Sequence, residues 1–279
     1  MIVTTSGAPK FTETDLDFVV DEVAPGAQNK EHLKQLILED ADFRKALLED
    51  DKVFNRLIVD EEAFLKISTP LYFEVLLRKS LKELESATYT IERSGRENIP
   101  VFDTREVTQL LDQPGVLYYL AHLLASFTRI NSYRIRMRTP RGRLRRVRYN
   151  DMDLDCLIDF CSRAEKEERF AFYKRIADVC LFVSGVFPES ASHAFGALSV
   201  DGPRPRFGGG MRRTLEEYEH EGQSFYGLAQ QHPQAQKLQL SEVFELLGKQ
   251  FTWARKPLGF IATNYLHARG DQLFGSRTQ

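Results

Sequence analysis

The most restrictive feature of this sequence is a run of arginines between Arg129 and Tyr149. The run contains nine arginines, no lysine and no acidic residue. From Tyr133 to Met137 apolar residues alternate with arginine, which is the two-residue period of a β-strand. Residues 139–142 then read Thr-Pro-Arg-Gly, and they suit a tight turn because proline fixes φ and glycine accepts a left-handed conformation. The sequence therefore predicts an arginine-rich β-hairpin over residues 132–149.

The length of the turn decides which residues of this hairpin lie opposite each other. A three-residue loop, made of a type I turn and a bulge, would span 140–142 and pair Thr139 with Arg143. Continuing that register predicts the pairs Arg138–Leu144, Met137–Arg145, Arg136–Arg146, Ile135–Val147, Arg134–Arg148 and Tyr133–Tyr149. One face is then mostly apolar and the other mostly arginine. A four-residue loop would shift the pairing by one and mix arginine into both faces, so we prefer the first register.

An arginine face of this kind is a candidate surface for an extended anion. Like charges directly opposite each other destabilise a ribbon unless anions neutralise them, and nucleic acid phosphate is the commonest extended anion. The residues expected to bind nucleic acid are Arg129, Arg134, Arg136, Arg138, Arg141, Arg143, Arg145, Arg146 and Arg148. Further arginines could supply secondary phosphate contacts: Arg204, Arg206, Arg212 and Arg213.

Basic charge is segregated into this run. The 279 residues include 38 basic and 40 acidic side chains, and without the nine arginines 29 basic side chains remain. Three cysteines, an odd number with no Cys-x-x-Cys pair, indicate a reducing, cytoplasmic setting. We expect no membrane association, because the chain shows neither a signal peptide nor an apolar run of spanning length.

The rest of the chain has the periodicity of helices, which predicts a mainly α protein with one inserted hairpin. Residues 1–66 form an acidic helical region, and residues 1–62 alone carry fifteen acidic against seven basic side chains. The acidic face is either a solvated surface or a surface that docks on the arginine hairpin when nucleic acid is absent. We expect a central helical domain over 67–187, with one long helix from Asp153 to Ser184 interrupted near 165–168.

A loop and a last helical segment complete the predicted organisation. Residues 188–210 are rich in glycine and proline, which is typical of a linker. Within it, arginines could contact phosphate, or the segment could be a tether alone. Residues 211–279 are predicted to form a C-terminal helical hairpin that could offer a groove to a partner.

The centre of the chain resembles a winged-helix module in the order of its elements. These are a helix over 70–87, a strand over 88–93, helices over 104–111 and 116–127, and the hairpin, so the resemblance covers residues 70–149. It implies that the second helix enters the major groove and that the hairpin acts as a wing. Here the second helix has no Arg, Lys, Asn or Gln to read bases. The wing would then contact phosphates or the minor groove.

Catalytic and metal-binding patterns are poorly developed. Glu217-x-x-His220 is one half of a di-iron motif without a second copy, so an exposed helical face is the preferred interpretation. His122 lies in the most apolar helix, where a packed histidine is the simpler interpretation. The run Phe207-Gly-Gly-Gly-Met211 lacks the following Lys-Ser/Thr of a phosphate loop. An enzyme is the least supported class, and we expect no metal and no cofactor.

Two functions remain. In the first, the hairpin binds the phosphate backbone of nucleic acid, in a regulatory or architectural role. In the second, the protein is an adaptor whose basic hairpin and C-terminal helices bind acidic protein partners, including its own N-terminal region.

Overall fold

The protein is mainly helical and carries two small antiparallel β-hairpins. The computed structural model describes residues 11–94, 97–113, 115–129, 132–138, 144–188, 213–266 and 273–274. In the arginine hairpin the description covers the backbone and its pairing. The predicted fold class is thus confirmed at the level of a helical protein with an inserted hairpin.

Five short helices make up the acidic N-terminal region: α1 (Glu13–Val23), α2 (Lys30–Glu39), α3 (Ala41–Leu48), α4 (Asp51–Val59) and α5 (Glu61–Lys66). The aspartates between successive helices serve as N-caps. Asp40, Asp50 and Asp60 each accept a backbone N–H from the first turn of the helix that follows, at 2.8 to 2.9 Å. The aspartates of this acidic region therefore mark the starts of helices. An aspartate side chain at such a position accepts hydrogen bonds from backbone donors that the helix leaves free.

Asp15 joins this region to the next helix. Its side chain is completely buried, with Oδ2 accepting from the Thr12 N–H at 2.8 Å and Oδ1 from the Ser68 N–H at 2.7 Å. Ser68 is itself the N-cap of α6 (Thr69–Ser86), where Pro70 occupies the first turn. One buried carboxylate thus fixes the beginnings of two helices that are far apart in the chain.

Three helices form the centre of the molecule: α6, α8 (Val116–Phe127) and α10 (Arg169–Val186). Side chains are buried from Leu71 to Arg78 in α6 and from Ile176 to Val186 in α10. In α8 eight of twelve residues are buried, and the other four are partly buried. Around this centre lie α7 (Thr104–Leu111) and α9 (Leu154–Arg163). The predicted interruption of the long helix is confirmed, because a 3₁₀ turn over Lys166–Glu168 separates α9 from α10.

The strand predicted at 88–93 pairs with the extended segment that follows it. β1 (Thr90–Ser94) and β2 (Glu97–Val101) form one two-stranded sheet, and β3 (Ser132–Arg138) and β4 (Leu144–Asn150) form another. The base of the β1–β2 hairpin is held by a buried lysine. Lys256 Nζ donates to Thr90 Oγ1 at 3.1 Å and pairs with Glu92 Oε1 at 2.9 Å and with Asp103.

The C-terminal segment contains more than the predicted helical hairpin. It forms α11 (Leu215–Gln231), α12 (Pro233–Lys237), α13 (Ser241–Lys249) and α14 (Phe251–Asn264). The additional short helix arises because Pro233 starts a new helix at its first turn and Gln239, with φ of +55°, ends the turn after it. Of these helices, α11 and α14 pack along α10, α13 packs against α11, and α14 also reaches α6 and α7.

The described residues of the predicted segments 1–66, 67–187 and 211–279 contribute to one core. Buried apolar side chains from Leu16 to Phe274 form a single continuous cluster. The division into segments therefore describes the chain and does not correspond to separate hydrophobic cores. The predicted linker 188–210 lies, beyond Pro188, outside the described residues. Among the described helices, none combines the length and the apolar character needed to cross a membrane.

Candidate nucleic-acid interface

The arginine hairpin has the strand register that the three-residue turn predicts. The backbone pairs are Tyr133–Tyr149, Arg134–Arg148, Ile135–Val147, Arg136–Arg146, Met137–Arg145 and Arg138–Leu144, and Ser132–Asn150 extends the ladder by one. The turn itself, with Arg141 and Arg143, lies outside the described residues. Because residues directly opposite share a face of an antiparallel pair, the even positions 134, 136, 138, 144, 146 and 148 fall on one face. Five of those six are arginine.

This register brings like charges into direct opposition. Arg134 faces Arg148 and Arg136 faces Arg146 across the ladder. Cβ atoms of opposite residues are about 4.5–5.5 Å apart in such pairs, so each pair contributes a repulsion that weakens the isolated ribbon. Seven residues per strand give the ribbon a length of roughly 20 Å at about 3.4 Å per residue. The ribbon is thus a short, regular array of positive charge.

Arg175 on α10 holds together the two ends of the chain segment that forms the hairpin. Its Nη1 donates to Ser126 Oγ at 2.9 Å, in the last turn of α8 before the hairpin. Its Nε donates to the Asp151 carbonyl oxygen at 3.0 Å, and its Nη2 to Asp151 Oδ2 at 2.8 Å. Asp151 directly follows β4. One guanidinium therefore binds the residues on both sides of the ribbon.

The same guanidinium lies over an aromatic ring of the core. The Arg175 Cζ atom is 3.9 Å from the ring centroid of Phe127, and Phe127 stacks on Phe182 with centroids 4.1 Å apart. The side chains of Arg175 and Asp151 are 16% and 13% exposed. Contacts of this kind, a shielded ion pair with a cation on an aromatic face, fix a side chain in one orientation. The root of the hairpin is consequently tied to the central helices.

The remaining predicted contact residues are distributed differently. Arg129 follows α8 and is exposed, close in sequence to the root of the hairpin. Arg213 forms ion pairs with Asp155 at 2.5 Å and Glu221 at 2.9 Å and is 12% exposed, so its charge is used within the protein. Arg204, Arg206 and Arg212 lie outside the described residues.

The helix that the winged-helix resemblance assigns to the major groove is α8. It is buried between the other helices of the core, and its polar residues are few. A helix whose side chains are all buried or half-buried offers little surface to a groove. The strand β1, which precedes α7 and α8 in the chain, pairs with β2 and not with the arginine hairpin. The hairpin, and not α8, is therefore the element that could meet a ligand.

The acidic N-terminal helices pack at the other end of α8. Arg44 of α3 lies over the ring of Tyr118 at 4.5 Å, and Arg78 of α6 donates to the Tyr118 hydroxyl at 3.1 Å. Tyr118 is in the first turn of α8, whereas Ser126, which Arg175 contacts, is eight residues later. Eight residues of helix span roughly 12 Å. The described contacts of this region are thus separate from the root of the hairpin.

Basic side chains of α6 pair with acids of the N-terminal helices. Arg78 contacts Glu49 at 3.5 Å, and Lys79 contacts Asp51 at 3.0 Å. Within the region, Lys34 pairs with Glu13, Asp17 and Glu31 at 2.6 to 2.9 Å. Part of the acidic charge is therefore balanced locally by the helices it packs against.

A second polar cluster is buried between α8, α10 and α11. Asp178 is 1% exposed and accepts hydrogen bonds from the hydroxyls of Tyr119 and Tyr226, the latter at 3.0 Å, while Lys174 Nζ donates to Oδ2 at 2.6 Å. Burial and the Asp178 charge hold the pKa of both tyrosines well above the usual value, so they remain donors. These donors join α8, α10 and α11 through one buried carboxylate.

The other titratable residues weighed in the sequence have structural settings. Glu217 accepts the Thr214 N–H in a capping box, and His220 is exposed on the same helix. His122 is half-buried, and burial, followed by the charge of Lys174, lowers its pKa. Cys161 and Cys180 are buried thiols. In the part of the chain that the structure describes, no group of three or more His, Cys, Asp or Glu side chains is arranged to hold a metal ion.

Arg175 and Asp151 are the residues of this interface that the sequence analysis missed. A signal was present for Asp151, which is the first acidic residue after nine arginines and stands where the strand must end. Arg175 carried none, because it is one of three basic residues in α10 and its partners lie 24 and 49 positions away.

Comparisons of the chain with protein-family models, with curated proteins and with solved structures find no match. The function therefore has to be inferred from the chain's own residues.

Proposed function

We propose that this protein binds the phosphate backbone of nucleic acid through its arginine hairpin. The observation that carries the proposal is the register, in which Arg134 lies opposite Arg148 and Arg136 opposite Arg146. Such pairs weaken the free ribbon and become favourable when an anion lies between or above them. A protein that needed only a stable hairpin would gain from placing opposite charges at these positions.

The chemistry of the run favours phosphate over other anions. Every basic residue in it is arginine, whose planar guanidinium can donate two parallel hydrogen bonds to one phosphate. On the arginine face, Arg134, Arg136 and Arg138 of β3 and Arg146 and Arg148 of β4 recur at every second residue, or roughly every 7 Å. A single small anion would use one or two of them, whereas a polyanion can engage the whole array.

Recognition by this surface would depend little on base sequence. α8 is buried and cannot read base edges, and the arginine face of the ribbon offers no Asn or Gln for bidentate contacts with adenine. Contacts to phosphate fix the position of a protein on nucleic acid without selecting a sequence. A regulatory or architectural role fits this kind of binding.

Four single substitutions test the proposal: Arg134→Ala, Arg136→Ala, Arg146→Ala and Arg148→Ala. Binding to a random duplex and to a single strand of the same length is measured by fluorescence anisotropy over a range of salt concentrations. Each loss of a duplex phosphate contact should reduce the slope of log affinity against log salt concentration by roughly 0.9. The reduction should be similar for duplexes of different base sequence. The free energy of unfolding should stay the same or rise, because each substitution removes one of two like charges that lie opposite each other.

Arg163→Ala is the matched control. Arg163 is an exposed arginine of α9 that pairs with Asp159 at 2.6 Å, so the substitution removes one positive charge outside the hairpin. It should leave the slope unchanged. If the four hairpin substitutions leave nucleic acid binding intact and unfold the protein, the arginines are internal partners and the proposal fails.

The adaptor function is favoured by a different observation. On the β1–β2 hairpin, the side chains of Tyr89, Ile91 and Phe102 are 47%, 59% and 79% exposed, and Tyr89 contacts Phe102 edge to face. Exposed apolar side chains grouped on one small element are typical of protein contacts. An adaptor would bind an acidic peptide column through the arginines and show no salt-linked affinity for duplex or single strand.

A further inference from the structure

We infer that Arg175 is a positioning residue, which holds the arginine hairpin in the orientation that binds phosphate without contacting phosphate itself. The inference rests on the proposed function and concerns a residue outside the arginine run. Its basis is the placement of one guanidinium against both ends of the segment that carries the ribbon.

The three donating nitrogens of Arg175 are divided between the two ends. Nη1 donates to Ser126, the last residue but one of α8. Nε and Nη2 donate to Asp151, the residue after β4. The segment between α8 and Asp151 carries β3 and β4. Arg175 thus joins the two ends of this segment through three hydrogen bonds.

The charge of Arg175 is committed to this role. The guanidinium is paired with the Asp151 carboxylate, covered on one side by the Phe127 ring and mostly shielded from solvent. A phosphate would have to displace Asp151 to reach it. The pair is neutral as a whole, so it adds little to the field of the ribbon.

The ribbon needs such an anchor because its own charges oppose its order. Opposed arginines push the strands apart, and a two-stranded hairpin is marginally stable by itself. Fixing the root lowers the conformational entropy that is lost when a ligand orders the ribbon, and this strengthens binding without any additional contact. Lysine could not replace arginine here, since an ammonium group lacks the planar arrangement of donors that reaches three acceptors.

The test compares Arg175→Ala, Arg175→Lys and Arg163→Ala in the full chain. Affinity for a random duplex is measured against salt, and amide hydrogen exchange is followed in β3 and β4. Arg175→Ala should weaken binding by roughly tenfold, consistent with the ordering of a few more residues on binding. The salt slope should stay unchanged, and exchange in both strands should become faster. Arg175→Lys should restore only part of the affinity, and Arg163→Ala should match the unaltered protein.

Two results would overturn the inference. A fall of about 0.9 in the slope with Arg175→Ala would show that the residue contacts phosphate directly. Unchanged affinity and unchanged exchange in a folded Arg175→Ala protein would show that the root needs no anchor. If Arg175→Ala does not fold, Arg175→Lys and Asp151→Asn give the same comparison with milder changes. Should the unaltered protein not bind nucleic acid, the proposed function fails, while the exchange measurement still decides whether Arg175 orders the hairpin.

Discussion

Gly222 of α11 lies directly against the ring of Phe251 in α14, so closely that a Cβ atom on Gly222 would stand 2.2 Å from Cε2 of the ring. Such a distance is far inside van der Waals contact. Phe251 is completely buried and belongs to the aromatic cluster with Tyr226 and Phe244. The absence of a side chain at Gly222 is thus a condition for packing α14 onto α11 and α10.

Gly222→Ala should destabilise the protein by about 3 kcal/mol, at the upper end of the cost of overpacking, because the buried ring has little room to move. Gly227→Ala is a matched control in the same helix, since a Cβ there meets no atom within 4 Å. That substitution should raise stability by about 0.5–1 kcal/mol, the gain of alanine over glycine inside a helix. Urea unfolding of the two variants measures both effects. Equal effects of the two changes would contradict the packing described here.

Local patterns predicted much of this fold. Helix starts coincide with capping residues that are visible in the sequence, such as Thr12, Ser68 and Thr214. The register of the arginine hairpin follows from the length of its turn and the alternation of its strands, and the observed pairs confirm it. These features depend on residues within a few positions of each other, where steric and hydrogen-bonding preferences are strong.

Other features depend on side chains that are distant in the chain. Lys256 meets Asp103 across 153 positions, and Arg175 meets Ser126 across 49. Such pairs leave no periodic pattern, because each partner reads as an ordinary charged residue of a helix or cap. The shared core also leaves no local pattern in the sequence. It joins segments that differ in charge and in glycine and proline content. The anchor of the candidate interface was therefore missed, while its arginine face was predicted.

Cys156 should react slowly with alkylating reagents at neutral pH. Burial, and then the neighbouring carboxylate of Asp153, raise the pKa of its thiol to about 11. Since only the thiolate is nucleophilic, the alkylation rate should rise about tenfold for each pH unit between 7.5 and 9.5, with no plateau in that range. Mass spectrometry of the alkylated peptide measures the rate in the folded protein.

Asp153→Asn is the informative variant for this thiol. Asp153 also caps α9 by accepting the Cys156 N–H at 3.1 Å, and asparagine can retain that cap. Removing the charge should lower the pKa of Cys156 and speed the reaction at pH 8. A rate that reaches a plateau below pH 9 in the unaltered protein would contradict the predicted pKa.

Asp178 should be among the residues on which stability depends most. Asp178→Ala would leave the hydroxyls of Tyr119 and Tyr226 buried without their acceptor, at a cost of about 2–5 kcal/mol for the two groups. Asp159→Ala provides a comparison at the surface, where the exposed pair with Arg163 should be worth less than about 1 kcal/mol. Urea unfolding of both variants tests this difference. A cost below about 1 kcal/mol for Asp178→Ala would show that the cluster relaxes or takes up water.

The relation between the acidic N-terminal helices and the arginine hairpin is best tested without deleting them. Their buried side chains belong to the shared core, and Arg44 and Asp15 join them to α8 and α6. Removal of residues 1–62 would therefore expose the apolar face of α6 and unfold the remainder. Substitution of exposed acids changes the charge and leaves this packing in place.

The double variant Glu39→Gln/Asp42→Asn removes two exposed charges from α2 and α3. Because α3 contacts the end of α8 remote from the hairpin root and α2 packs on α3, we expect its duplex affinity to match that of Glu85→Gln/Asp159→Asn, which removes one exposed and one partly exposed charge elsewhere. Loss of any acidic charge strengthens binding slightly through the overall field, and this effect is common to both variants. Affinity measured at low and high salt makes the comparison. If the N-terminal acids compete directly for the arginines, the first variant alone should bind several-fold more tightly at low salt, and the difference should vanish as salt screens the competing contact.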